Sequence, residues 1–148
     1  MLSLEHCDSS DLNIIFDLET YEFPYVDVSK ECIRYYIKNR KYLRIVLDGE
    51  IAGYINISPV KTFTRIYSII IKKEFRGKGL GTSVLRYLKE THKNLTLAVA
   101  KNNKAKKLYK REGFIEYGSV AVQNPRTMRY ELCTTMYYRF ENMKCKHV

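Results

Sequence analysis

The sequence predicts one α/β domain, a mixed and mostly antiparallel central sheet of about seven strands with four helices. Three observations predict it. The hydrophobic period changes repeatedly along the chain between the helical and the strand value. An Asp48-Gly49 pair separates two strand-like runs. Gly77, Gly79 and Gly81 stand at alternate positions where an apolar strand gives way to a helical pattern. The 148 residues suffice for one sizeable core. No linker, repeat or low-complexity tract divides them, so a single domain is expected over residues 1–148.

The elements follow in order. Leu2–His6 alternates like a short strand. After the capping run Asp8-Ser9-Ser10, the stretch Ser9–Glu19 places Leu12, Ile15, Phe16 and Glu19 near helical spacing. Pro24 interrupts this pattern, because the residue before a proline is pushed out of the helical region. A second helix is expected over Ser29–Asn39, with Cys32, Ile33, Tyr36 and Ile37 on one side. Tyr42–Leu47 and Ile51–Ile57 form a hairpin around Asp48-Gly49, a pair that adopts positive φ at low cost. Thr64–Lys72 is a third strand, and its consecutive Ile69-Ile70-Ile71 predict burial on both faces. The next helix runs to about Thr91 with a core stripe of Leu80, Val84, Leu85 and Leu88. Leu95–Ala100 is a strand; Asn102–Glu112 is a helix with Ala105, Leu108 and Tyr109 inward, stopped at Gly113. Phe114–Val122 and Met128–Phe140 are strands about an Asn124-Pro125 turn, and 141–148 reads as a polar tail.

Composition narrows the function classes. With 45% hydrophobic and 28% charged residues, the chain reads as a soluble globular protein. It has no apolar run long enough to span a membrane and no signal peptide at its start, so a cytoplasmic location with no membrane partner is expected. Cys7, Cys32, Cys133 and Cys145 match neither a zinc site nor a disulfide framework, and His6, His92 and His147 are scattered. Free thiols and no bound metal are the expectation. The net charge of +10 favours anionic partners, such as a phosphorylated cofactor, RNA or a ribosome, or else is simply a solvated basic surface.

The glycine-rich turn is the most informative segment. Glycine lets a backbone approach a ligand closely. The first N–H groups of a helix lack intrahelical partners and, with the helix dipole, form an anion site suited to a pyrophosphate. Arg76 and Lys78 add charge at its rim. A Walker A loop would need a lysine before Thr82, where Gly81 stands. A dinucleotide fingerprint would need glycine at Thr82 or Val84. Both familiar nucleotide readings fail; tight packing at a helix entry remains the alternative.

Arg76-Gly77-Lys78-Gly79-Leu80-Gly81 resembles the acetyl-CoA motif of the GNAT superfamily, Arg/Gln-x-x-Gly-x-Gly/Ala, and Ile69-Ile70-Ile71 resembles the strand that leads into it. Downstream, Asn102-Asn103-Lys104-Ala105-Lys106-Lys107-Leu108-Tyr109, continuing to Gly113-Phe114, resembles the second signature, Asn-x-x-Ala-x-x-Leu-Tyr-x-x-x-Gly-Phe. The resemblance implies the GNAT fold and acetyl-CoA as cofactor, with a strand that splays at a bulge. It implies that the backbone of Ile69, Ile70 and Ile71 holds the acetyl-pantetheine arm, with an N–H near Ile69 or Ile70 polarising the thioester carbonyl. Arg76, Gly77, Lys78, Gly79, Leu80, Gly81 and Thr82 hold the pyrophosphate, and Asn102 the pantetheine. It gives Tyr109 the role of general acid to the leaving thiolate, work suited to a phenol. From spacing alone Tyr109 reads as a core tyrosine, continuing the inward stripe of Ala105 and Leu108.

One family feature is missing. In the ribosomal-protein acetyltransferase branch a glutamate on the strand before the asparagine motif acts as base, but Thr96, Leu97 and Ala98 occupy every possible register here. Glu19, Glu22 or a water chain are the substitutes. Glu19-Thr20-Tyr21-Glu22-Phe23-Pro24-Tyr25 resembles the acceptor-side segment of RimI-like enzymes, where Phe-Pro-Trp is typical; the alternative is simple packing. The expected acceptor is a protein N-terminus or lysine, with a small amine such as a polyamine or aminoglycoside second. The rivals are a non-catalytic acyl-CoA-binding module and a ribosome- or RNA-binding protein. The basic run Lys101, Lys104, Lys106, Lys107, Lys110 and Arg111 is either a solvated face or a contact to phosphates. A monomer or a homodimer is expected.

Overall fold

The computed structural model describes residues 1–23, 28–123 and 128–140. Strands β1 (Leu2–His6), β2 (Tyr42–Leu47), β3 (Glu50–Val60), β4 (Phe63–Ile71), β5 (Asn94–Ala100), β6 (Ile115–Gln123) and β7 (Tyr130–Arg139) form one sheet in the order β1-β2-β3-β4-β5-β7-β6. All neighbours are antiparallel except β4 and β5. Four helices accompany the sheet: α1 (Leu12–Glu22), α2 (Lys30–Lys38), α3 (Leu80–His92) and α4 (Ala105–Arg111). Helix α3 is the crossover that a parallel β4–β5 pair requires. No helix among the described residues is long and apolar enough to cross a membrane.

The predicted hairpin is built as expected. Asp48 and Gly49 have φ of 50° and 82°, and Leu47 pairs with Glu50 across them. Both central residues are left-handed, as a type I′ connection demands. The main core lies on one face of the sheet, where Leu80, Val84, Leu85 and Leu88 of α3 pack on Ile45, Ile55, Ile66, Leu97 and Met136. On the opposite face, α1 and α2 bring Ile15 and Ile33 against Tyr42 and Tyr54. The three isoleucines ending β4 divide between the layers: Ile70 is buried, while Ile69 and Ile71 are half-buried against the main core.

Several boundaries differ from the sequence reading. Asp8 receives the Ser10 N–H at 2.9 Å, and its own N–H reaches Asp11 Oδ2 at 3.0 Å. This capping box holds residues 9–11 in a 3-10 turn, so α1 starts at Leu12 and continues to Glu22. Helix α4 starts at Ala105 rather than Asn102, because the Asn103 side chain takes the Ala105 N–H at 2.9 Å. Cys32 is exposed, whereas Ile33 of the same helix is buried. Cys7, Cys32 and Cys133 are free thiols. Pro24, Tyr25, the Asn124-Pro125 turn, Cys145 and the 141–148 tail lie outside the described residues.

A buried carboxylate ties α1 to the sheet. Asp11 accepts the Tyr54 hydroxyl at 2.7 Å and Arg44 Nε at 2.9 Å, as well as the Asp8 N–H. Burial pushes its carboxyl up, but the Arg44, Asp8 and Tyr54 hydrogen bonds outweigh burial and hold it below the ordinary range. Asp11→Ala leaves Tyr54 without its partner and Arg44 with only the exposed Asp8, and is expected to cost about 3 kcal/mol in urea unfolding. Because the folded pKa is depressed, that contribution is full above the unfolded value and fades as pH falls through the folded one. The stability gap between wild type and Asp11→Ala is therefore expected to be constant at mildly acidic pH and to narrow below about pH 4.

Candidate active site

Strand β4 carries one residue more than its neighbour can pair. Asn56 of β3 faces Ser68 and Ile57 faces Ile66, so Tyr67 is left over as a bulge. A bulge bends and twists its strand. On the other edge, β4 and β5 pair only through Thr64–Leu95, Arg65–Thr96 and Ile66–Leu97. Beyond that point they part, and the β4 edge from Ile69 to Ile71 has no β5 partner. The resulting cleft, of about 280 Å³, is lined by Ile66–Ile71 of β4, Leu97–Ala100 of β5, Glu22, Phe23, Arg76, Asn103, Ala105 and Tyr109.

A second hollow, of about 200 Å³, adjoins it through Ile71 and Arg76. Gly77, Gly79, Leu80, Gly81 and Thr82 border it, with Leu108 and Arg111 opposite. Gly77 and Gly79 have φ of 78° and 73°, a conformation that glycine adopts without strain. Among the described residues no side chain caps α3, so the N–H groups of its first turn are open to a ligand. Arg76 is oriented by its Nε bond to the Ile71 carbonyl at 2.9 Å and by an ion pair with Glu22.

The structure thus brings together most of the residues singled out from the sequence. Ile69, Ile70, Ile71, Arg76 and Tyr109 border the cleft; Gly77, Gly79, Leu80, Gly81 and Thr82 border the hollow. Two do not join them. Lys78 borders neither, and its Nζ sits 5.8 Å from the Phe75 ring centroid. Asn102 is exposed, and Asn103 lines the cleft in its place. Arg111 was one of six charges in a basic run, and only the fold singles it out. Lys106 and Lys110 of that run instead hold Glu116 at 3.0 and 2.9 Å. The Tyr109 ring packs 5.7 Å from the Phe114 ring between centroids.

Across β4 lies a third hollow, of about 370 Å³, under α1 and α2. It shares Phe23, Ile66, Tyr67, Ser68 and Ala98 with the cleft. Glu19 borders it and accepts Tyr42 Oη at 2.9 Å and Ser68 Oγ at 2.7 Å. Burial raises the Glu19 pKa, and these two bonds only partly oppose the rise. On β5, Leu97 is buried in the main core and Ala98 faces the hollows, so that strand presents no carboxylate.

Residues 8–128 match the acetyltransferase (GNAT) domain family. The chain belongs to the GNAT acetyltransferase family. A Bacillus subtilis (strain 168) protein, named as a candidate ribosomal protein bS18-alanine N-acetyltransferase, is 40% identical over 78 residues. That alignment covers 49% of this chain and only 52% of the relative. Among solved structures, the Escherichia coli ribosomal-protein-S18-alanine N-acetyltransferase superposes with a TM-score of 0.73 at 20% identity, covering 93% of each chain. A chimera of the Vibrio cholerae spermidine N-acetyltransferase SpeG gives 0.71 at 24%, covering 95% of this chain and 96% of its own. The PaiA N-acetyltransferase of Thermoplasma acidophilum, in complex with coenzyme A, gives 0.69 at 14%, covering 94% and 99%. These structures establish a shared GNAT fold.

The residues present fit the acetyl-CoA that this GNAT family uses. An unpaired strand edge suits an extended amide-bearing arm, and an uncapped helix start flanked by Arg76 and Arg111 suits a diphosphate. The cleft depends on the course of β4, and Gly53 guards that course. A Cβ there would meet the Ile70 carbonyl oxygen at 2.0 Å and the Ile71 Cα at 3.1 Å. Gly53→Ala is therefore expected to destabilise the protein by about 1–3 kcal/mol. By displacing Ile70 it should also weaken coenzyme A binding in calorimetry, whereas Gly49→Ala, in open space on the hairpin turn, should leave that binding unchanged.

Proposed function

We propose that this GNAT protein moves the acetyl group of acetyl-CoA to a primary amine of a protein or peptide, by direct attack of the amine with Tyr109 as general acid. One observation carries the reading: Tyr109 borders the same cleft as the unpaired edge of β4, and that cleft runs into the uncapped start of α3. Bound acetyl-CoA supplies an activated thioester. The chain's residues do the rest. N–H groups of Ile69–Ile71 orient the arm and donate to the carbonyl oxygen. The first turn of α3, with Arg76 and Arg111, holds the diphosphate. Tyr109 Oη gives its proton to the departing sulfur and recovers one from the attacking nitrogen. In sum, an ammonium and the thioester become an amide, a free thiol and one released proton.

The acceptor side supports a singly charged amine. Among the described residues, Glu19 is the one carboxylate bordering the hollow under α1 and α2, and Arg65 borders it too. The remaining lining is mostly apolar, including Ile33, Val28 and Val122. A polyamine needs several anionic partners along its length, whereas a peptide amine needs one and adds an apolar side chain. The matched half of the Bacillus subtilis relative and the Escherichia coli neighbour, both named as alanine N-acetyltransferases of a ribosomal protein, point the same way. The spermidine acetyltransferase neighbour keeps polyamines as the second reading.

Coenzyme A release should be fastest with free peptide N-termini and slower with lysine peptides and spermidine, with products identified by mass spectrometry. Tyr109→Phe should lower kcat about 100-fold while leaving the acetyl-CoA Kd unchanged. An unaltered kcat would remove Tyr109 from the chemistry, and absent release with every amine would leave an acyl-CoA-binding module.

A further inference from the structure

We propose that Glu19 takes the proton from the incoming amine and that Asn56 Oδ1 is the second acceptor holding that amine as its ammonium. This rests on the amine-acetylating reading above and assigns the step for which β5 offers no carboxylate. The register places Tyr42 opposite Asn56 and Asn56 opposite Ser68, so three polar residues stand in one row across β2, β3 and β4. All three are buried, and Glu19 of α1 is lowered onto the row.

Hydrogen-bond accounting then leaves two acceptors over. Tyr42 and Ser68 both donate to Glu19 Oε1, and Oε2 takes no hydrogen bond from another described residue. The Tyr42 hydroxyl, opposite Asn56 in the register, has spent its one proton on Glu19 and has none left for the Asn56 amide. Among the described residues no donor reaches Oδ1, which is buried in a residue only 6% exposed. An orphaned buried acceptor calls for a ligand or a water. Both Asn56 and Glu19 border the 370 Å³ hollow, and Ser68 and Ala98 connect that hollow to the cleft of Tyr109. An ammonium brings three donors and no acceptor, the complement of this pair.

The proton step balances within the pair. One ammonium N–H bond breaks as an O–H bond forms at Glu19 Oε2; the charges +1 and −1 become a neutral amine with a free lone pair and a neutral carboxyl. The carboxyl then returns its proton to water at the mouth of the hollow, where Tyr67 is exposed. Burial makes Glu19 a stronger base than an ordinary glutamate, and its two donors only partly offset that rise. The other titratable groups around it are Tyr42 of β2, Tyr67 and Arg65 of β4, Tyr36 and Cys32 of α2, and Cys133 of β7. Phenols, thiols and guanidinium ionise well above carboxylates, so an acidic limb belongs to Glu19.

The test uses the full chain, with a peptide bearing a free N-terminal alanine as probe. Wild-type kcat/KM should fall on an acidic limb set by Glu19. Glu19→Gln should lose that limb and about 100-fold in kcat, with the acetyl-CoA Kd unchanged. Ser68→Ala removes a donor to the carboxylate, raises its pKa and should move the limb to higher pH; this variant decides the matter if Glu19→Gln does not fold. Asn56→Leu should raise the peptide KM about 10-fold with kcat nearly kept. Calorimetry of the same peptide into protein saturated with coenzyme A supplies a readout without turnover, and there both Glu19→Gln and Asn56→Leu should weaken binding. Full activity and an unmoved limb in Glu19→Gln and Ser68→Ala would overturn the assignment while leaving the acetyltransferase intact. Unchanged peptide affinity in Asn56→Leu would make that acceptor a water site only. No release from wild type with any amine would sink the amine-acetylating reading instead, and the calorimetric arm would still judge the ammonium site.

Discussion

The architecture of the site depends on one surplus residue in β4. Tyr67 has no partner on β3, and the parallel ladder with β5 stops at Ile66, one position earlier. A regular strand there would have continued pairing and closed the sheet. The bulge instead re-aims β4. The backbone groups from Ile69 to Ile71 then look onto an empty edge in the middle of a seven-stranded sheet. Interior strand edges are costly unless something pairs with them. An amide-bearing arm is such a partner, which links the shape of the sheet to the ligand class.

The same bulge separates two kinds of chemistry. Residues on either side of Tyr67 change face, so Ile66 enters the main core while Ser68 turns to α1. Toward α3 the site offers donors and positive charge: uncapped N–H groups, Arg76 and Arg111. Toward α1 it offers acceptors: Glu19 and Asn56. An anionic cofactor and a cationic amine are thereby drawn to opposite sides of one strand, and the hollows meet at Ser68 and Ala98. Charge complementarity of this kind orients two reactants before any bond is made.

The basic surplus of the chain is only partly a property of the site. Lys106 and Lys110 are engaged by Glu116, and Arg86 and Lys89 by the buried Glu112. Burial pushes the Glu112 carboxyl up, but Arg86 and Lys89 overcome it and hold it below the ordinary range. These contacts clamp the C-terminal end of α4 to α3, and so fix the helix that carries Tyr109 against the helix whose start faces the hollow. Positive charge here serves the placement of the site as much as the attraction of ligands.

The sequence by itself determined the local elements and the glycine-rich helix start, because turn chemistry and hydrophobic period act over neighbouring residues. Asp48-Gly49 forms its own turn, and Gly77 and Gly79 supply positive φ wherever the chain places them. The two signatures also carried the family, since both encode backbone shape within a few residues. Register across strands could not be read that way. That Tyr42, Asn56 and Ser68 form a row, that Glu19 descends on it, and that Asn103 rather than Asn102 borders the cleft all follow from tertiary pairing. One residue inserted in β4 decides which side chains face which layer. No local pattern in the sequence distinguishes that bulge from an ordinary strand, because its energy is settled by the partners on both sides.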